Sequence, residues 1–391
     1  MNLSLRPSVL FPAVAQPVSR LPVIGILSTH PPTLCGLATF SLALADGLRA
    51  NDVDVKIVRI ADGMACNDSR VIGEMVKGVP ASLAETARRL NQGDLAVIQH
   101  EYGIYGGDDG EEVLDVIAGL TVPSIVILHT VLTRPTEHQR WVLEAVAAAA
   151  SRVVVISDAA RVRLDSGYNI DGRKVSTIPH GANIVASAQV KRSGRPTLLT
   201  WGLLGPGKGI ERVIDAMPTL RTLPGRPRYV VAGRTHPKVL ADSGEIYREQ
   251  RVEQARRLQV SDAVEFEPGY LSATALTALI QSSAAVVLPY DSTEQVSSGV
   301  LVDALAHGRP VIATAFPQAL ELLSCGAGIV VPHHDPEAMV SALRRVLTDP
   351  RLAGSMAAAG RQLAPTLAWP VIATRYLVLA QHLLANRRSV V

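Results

Sequence analysis

Aromatic side chains are scarce in this chain: Phe, Trp and Tyr together make up 4% of its 391 residues. Proteins that grip single-stranded nucleic acid rely on stacking platforms set in a basic groove. With few rings, a net charge of only +3 and no basic block, the composition excludes nucleic acid as a partner. Cysteine is rarer still. Cys35, Cys66 and Cys325 are too far apart for a zinc pattern or a disulfide framework. Such usage fits a reducing cytoplasm, with each thiol a small buried filler. Long apolar runs are missing too, and a bilayer span needs about 18 or more such residues. The first twenty residues hold Arg6, Arg20, three prolines and no continuous apolar stretch. They read as neither a signal peptide nor an anchor, so a soluble cytoplasmic protein is expected. Peripheral contact with a membrane is left open, but nothing signals it. A Ser/His/Asp triad, a metal-ligand cluster and a nicotinamide fingerprint are also missing.

What is present is core-forming material, 48% hydrophobic against 19% charged, in a length that suits two domains. Short apolar β-branched runs alternate with longer helical patterns. The first series of expected strands is 23–27, 55–60, 95–99, 124–129, 153–156 and 175–178. A second series follows at 197–201, 229–232, 264–267, 285–288, 311–314 and 329–331. Strands separated by helices imply parallel sheets, and strands that are apolar throughout imply cover on both faces. The polar stretch 182–196, ending Ser-Gly-Arg-Pro, reads as a linker. The expected class is therefore α/β, with two doubly wound, Rossmann-like domains facing a central cleft. The expected divisions are 1–185, 186–369 and a C-terminal helix within 370–391. That helix, proline at its start, carries an apolar stripe that must cap its own domain or cross back to the first.

Ligands of such sheets bind at the carboxyl ends of the strands. Gly202, four residues, then Gly207-Lys208 comes close to a phosphate-binding P-loop. The next residue is Gly209, where a nucleotide triphosphatase needs a hydroxyl for magnesium, and that reading is rejected. What remains is a glycine turn, the Lys208 charge and a helix amino terminus aimed at an anion. Gly36 opens a helix after the first strand and gives a weaker signal of the same kind. Asp303 lies inside the apolar run V-L-V-D-A-L-A, where a carboxylate is costly unless it is paired or binds a ligand hydroxyl such as a ribose diol. Glu294 and Gln295 in the preceding loop suit sugar hydroxyls, or are solvated. His129 ends an expected strand and should reach the cleft. His100, Glu101 and Tyr102, with Tyr105, Gly103, Gly106 and Gly107, form either a shaped binding loop or an ordinary turn. Arg234, after Gly233, is a phosphate contact or an exposed loop residue. His180 reads as a tether at the domain connection.

Taken together, these motifs resemble a known family. Residues 202–209, G-L-L-G-P-G-K-G, resemble the G-R-L-x-x-x-K-G loop of retaining family-4 glycosyltransferases of the GT-B fold. Gln295 and Asp303 fall where that family carries two glutamates separated by seven residues. G-R-P-V-I-A-T, G-A-G-I-V-V-P and D-P-E-A-M resemble its later landmarks, and L-A-W-P-V-I-A-T-R-Y-L-V-L resembles its crossover helix. C-G-L-A-T-F, Q-H-E-Y-G-I-Y-G-G, L-H-T-V-L, I-P-H-G, A-G-R-T-H-P and S-S-G-V-L resemble a mannosyltransferase-like subgroup. Leu203 departs from the family's arginine, whose charge-assisted contact is worth ~1.5–3 kcal/mol. Gln295, unless Glu294 takes over by a one-residue shift, and the shorter Asp303 are the other departures.

The resemblance implies transfer of a hexose from a nucleoside diphosphate sugar, GDP-mannose by subgroup likeness, to a glycan, lipid or small-molecule acceptor. It implies retention, no metal and no bound cofactor. Gly36, Leu37, Gly207, Lys208 and Arg234 would hold the diphosphate, and Asp303 the ribose. Gln295 or Glu294, with Ser298, Gly299 and Val300, would hold the sugar, which His129 would also contact. His100, Glu101, Tyr102, Gly106 and Gly107 would border the acceptor. No carboxylate nucleophile stands out, so front-face displacement is expected. The rival readings are another GT-B enzyme (an epimerase or a phosphorylase) and a non-catalytic nucleotide-sugar-binding partner.

Overall fold

The computed structural model describes residues 22–184 and 194–388. Most of the linker expected at 182–196 therefore lies outside the described residues, as does the boundary expected at 185.

The first half begins with β1 (Val23–Ser28), α1 (Gly36–Arg49), β2 (Asp54–Ile60), β3 (Val71–Met75), α2 (Pro80–Leu90) and β4 (Leu95–His100). It continues through α3 (Val113–Ala118), β5 (Ser124–Leu128), α4 (Glu137–Ala149), β6 (Arg152–Val155), α5 (Asp158–Gly167) and β7 (Val175–Thr177). The second half runs β8 (Thr197–Trp201), α6 (Ile210–Leu220), β9 (Arg228–Ala232), α7 (Pro237–Ser243), α8 (Ile246–Arg257) and β10 (Val264–Glu267). Next come α9 (Ala273–Ser282), β11 (Ala285–Leu288), α10 (Gly299–Ala306), β12 (Val311–Thr314), α11 (Pro317–Leu323) and β13 (Gly328–Val331). Three helices end the chain: α12 (Pro336–Thr348), α13 (Pro350–Leu367) and α14 (Trp369–Arg388).

The strands form two sheets, ordered β3-β2-β1-β4-β5-β6-β7 and β10-β9-β8-β11-β12-β13, with all pairings parallel. Alternation along each strand feeds two cores per sheet, as both-face cover requires. In the first sheet Ile24, Ile26, Val97, Ile125 and Ile127 pack on α1 and α14, while Leu27, Ile98, Val126 and Leu128 pack on the other side. In the second, Leu198, Val231 and Val287 face α6 and α12, while Leu199, Val230 and Val286 face α10 and α11. The strand order reverses between β1 and β4 and again between β8 and β11. A crevice opens at such a reversal.

The last helix crosses back. Ile372, Ala373, Tyr376, Leu377 and Ala380 make a stripe at helical spacing that joins the first domain's core beside Phe40, Leu44 and Leu48 of α1. The approach is close: a Cβ on Gly47 would stand 2.8 Å from the carbonyl oxygen of Trp369. Asn51 seals the contact, donating to Pro370 O at 2.9 Å and accepting from Thr374 Oγ1 at 3.0 Å. Where the chain returns, Ala182 N–H donates to Leu367 O (2.7 Å) and Trp369 N–H donates to Ala182 O (3.2 Å). The two interdomain passages thus run side by side.

Candidate active site between the domains

The second domain builds its wall of the cleft from glycine turns. Gly202 (φ +124°) and Gly233 (φ +138°) follow β8 and β9, and a Cβ on Gly233 would collide with the carbonyl of Gly202. Gly209 (φ +64°) caps α6 against the carbonyl of Pro289 with no room for a side chain. Asp291 N–H donates to Gly207 O at 2.9 Å, pinning the turn to the next loop. Lys208 is left at the rim, its ammonium 4.7 Å from the centre of the Tyr290 ring. Ser298 caps α10 by accepting from Leu301 N–H at 3.3 Å. The first-turn amides of Gly299 and Val300 have no intrahelical acceptor and border the opening. One turn on, burial pushes the Asp303 carboxyl up to about 7. Among the described residues none donates a hydrogen bond to it.

The first domain answers with its own helix start. Cys35 caps α1, its sulfur accepting from Ala38 N–H at 3.3 Å, and Gly36 and Leu37 border the same opening. The thiol expected to be core filler is therefore a cap. His129 follows β5 and stands 2.5 Å from Gln99 Oε1 through Nε2. Burial, then the neighbouring His180 and His100, push its pKa down to about 3, so the ring is neutral at pH 7. Burial raises the pKa of Glu101, while Thr130 Oγ1 (2.5 Å) and Tyr102 N–H (3.2 Å), both donating to it, favour the ionised form.

These groups converge on one interdomain cavity of about 490 Å³. Its lining includes Gly36, Leu37, Glu101, His129, Lys208, Arg234, Gly299, Val300 and Asp303 from the sequence analysis. Residues that the motifs did not place in the site complete it. Phe40 meets the rings of His129, His180 and Trp369 nearly at right angles, with centroids 4.8, 5.0 and 4.9 Å away. His180, expected as a tether, lies in this wall, where a Cβ on Gly299 would come within 3.0 Å of its Nε2. His236 accepts from Lys238 N–H at Nδ1 (3.2 Å), so the neutral ring carries its proton on Nε2. Only the histidine in I-P-H-G and the tryptophan in L-A-W-P hinted at this aromatic floor, and neither motif has a spacing that points to the other.

Other expected residues are placed differently. His100 is fully buried, with neither ring nitrogen hydrogen-bonded, because Tyr102 packs across it 5.3 Å away. It does not border the cavity as expected. Tyr102 turns inward to donate to Gln139 O at 3.3 Å. Gly106 and Gly107 make room for the Glu112 and Glu111 side chains rather than for a ligand. Of that loop, Glu101 alone lines the opening. Gln295 folds onto its own loop, donating to Ser297 O at 3.0 Å. The Glu294 carboxylate leaves the sugar region expected of it and accepts from Thr133 N–H (3.0 Å) and Arg163 Nη1 (3.1 Å) of the first domain. Gly207 and Ser298 act through the turn and the cap just described.

Two parallel-sheet domains with their strand ends across a cleft define the GT-B architecture. Residues 185–363 match the family described as "Glycosyl transferases group 1". The second half of the chain is thus similar to group 1 glycosyltransferase domains. Among curated relatives, glycogen synthase of Mycobacterium tuberculosis is 32% identical over 207 residues, 52% of this chain and 46% of that protein. D-inositol 3-phosphate glycosyltransferase of Kineococcus radiotolerans is 28% identical over 276 residues, 63% of this chain and 60% of that one. The chain spans about half the length of the curated relatives it matches. Among solved structures, sucrose-phosphate synthase of Thermosynechococcus elongatus superposes with a TM-score of 0.74 at 20% identity, over 93% of this chain and 99% of that one. HepE of Anabaena, solved with UDP and glucose, gives 0.73 at 16% identity over 92% and 99%. These two likenesses establish the fold. No described helix is long and apolar enough to cross a membrane.

Proposed function

We propose that this protein is a retaining glycosyltransferase that moves a hexose from a nucleoside diphosphate sugar to an acceptor hydroxyl. One observation carries the reading. The amino ends of α1 and α10, one from each domain, open on the same cavity as Lys208 and Arg234. Two helix termini and two cations converge on a volume suited to a diphosphate. The group 1 domain match and a structural neighbour solved with UDP support a nucleotide-sugar donor.

The C1–oxygen bond to the diphosphate breaks while the acceptor oxygen forms its own bond to C1 on the same face, its hydroxyl proton passing to the departing phosphate oxygen. Lys208 and the free amides of Gly36, Leu37, Gly299 and Val300 stabilise the charge that develops on the departing phosphate, without a metal. The Asp303 carboxylate takes the ribose hydroxyls. Neutral His129, held by Gln99, faces the sugar. Mannose from GDP-mannose is the donor proposed from the subgroup motifs of both halves, and a sugar-type molecule is the acceptor.

The test is a donor screen on the purified chain, setting GDP-mannose against UDP- and ADP-hexoses by thermal shift and donor hydrolysis. A true donor at 100 times its Kd should add ~2.7 kcal/mol to stability. Stabilisation with turnover supports transfer, whereas stabilisation without hydrolysis or transfer supports a binding partner. No response to any donor overturns the proposal.

A further inference from the structure

The two domains also meet along one helix that lines no part of the cavity. At the start of α5, Ser157 Oγ accepts from Ala160 N–H at 3.1 Å. The amides of Asp158 and Ala159 donate instead to Glu321 of α11, in the other domain, at 3.2 and 3.1 Å. A carboxylate on helix amides is a charge-assisted contact aligned with the helix dipole. Further along α5, Arg163 Nη1 donates to Val131 O at 3.2 Å and to Glu294 O and Oε2 at 2.7 and 3.1 Å. Its Nη2 donates to Thr293 O at 3.1 Å. Glu294 Oε2 also accepts from Thr133 N–H at 3.0 Å. One guanidinium, with its side chain 15% exposed, therefore stitches loop 131–133 to loop 293–294. The first of these loops begins just after His129, and the second leads through Gln295 into the start of α10.

These contacts exist only at the present separation of the domains. Whatever free energy they contribute favours the closed cleft over an open one. The Glu294 carboxylate is committed to that seam and is not free to hold a sugar.

We propose that Arg163 and Glu294, with Glu321 on the amino end of α5, form an interdomain latch. The latch positions His129 against the donor-side loop, so that closing the cleft and assembling the site are one event. Its kinetic consequence rests on the transferase reading above, but the closure itself does not.

The test uses the full chain with Glu321→Ala, Arg163→Lys and the double variant. Lysine keeps the charge of Arg163 but loses the planar fork. Small-angle scattering without nucleotide should show a larger radius of gyration in the double variant. Circular dichroism checks that the fold is retained; if Arg163→Lys fails to fold, Glu321→Ala alone decides. In kinetics, the donor must supply the closure that the latch no longer holds. A closed population cut tenfold raises the apparent donor KM about tenfold. For Glu321→Ala, kcat should stay within about twofold while KM rises. Wild-type dimensions together with wild-type KM in folded variants overturn the latch. If no donor binds, the transferase reading falls, and the scattering comparison still decides the latch.

Discussion

In the proposed transfer, Lys208 and Asp303 carry most of the chemistry at the residue scale, for opposite reasons. Lys208 stays at the rim with its ammonium on a ring face, available to an incoming anion. Replacing it with alanine should lower kcat about 10²-fold, the scale for losing one preorganised oxyanion contact, with an unchanged melting temperature. Steady-state kinetics on the best donor checks this, and a loss under tenfold would relocate the diphosphate. Asp303 is half-buried in the cavity wall, and desolvation raises its pKa to about 7. A carboxyl raised in the folded state makes the empty protein less stable as pH climbs from about 4 to 7, because the unfolded chain then binds fewer protons. Asp303→Asn should flatten that slope. Nucleotide affinity should rise through pH 7 in the wild type, as the carboxylate becomes the better acceptor, and lose that rise in the variant. Calorimetry at pH 6 and pH 8 compares the two while subtracting the titration of the nucleotide itself. Much of this was legible in the sequence, since glycines flanking a lysine and an acid in an apolar helix are local signals. The partner of Glu294 was not legible: Arg163 lies 131 positions away on a helix of ordinary polarity.

Among the elements, the apolar strands were the readable part. Each expected run became a strand, with each end in place or shifted by one residue. β3 escaped because V-I-G-E-M contains a glycine, exposes Glu74 and lies half-buried at the sheet's edge. The apolar stripe of α14 was plain, but its destination was open. Periodicity says that a face must be covered, not by what. The answer rests on Gly47, where the α14 backbone comes near enough to exclude a methyl group. Gly47→Ala should therefore cost about 1–3 kcal/mol, the usual range for forcing extra volume into a packed contact, even though alanine favours helices. Chemical denaturation followed by a probe in the first domain measures it. Unchanged or increased stability would show that the two helices are free to separate.

At the scale of the whole molecule, neither domain holds a complete site. The first supplies Gly36, Leu37, Glu101 and His129, and the second supplies Lys208, Arg234, Gly299 and Asp303. A diphosphate bound as proposed, between two helix termini, would therefore favour the joined arrangement thermodynamically, because only that arrangement offers both. The parallel passage at Ala182 and Ala368 adds a covalent consequence. Cutting the polypeptide once between Ile184 and Gly194 would sever one strap only. The larger fragment would still lay α14 against α1 of the smaller one, and the pair would travel as one particle until α14 itself was pulled free.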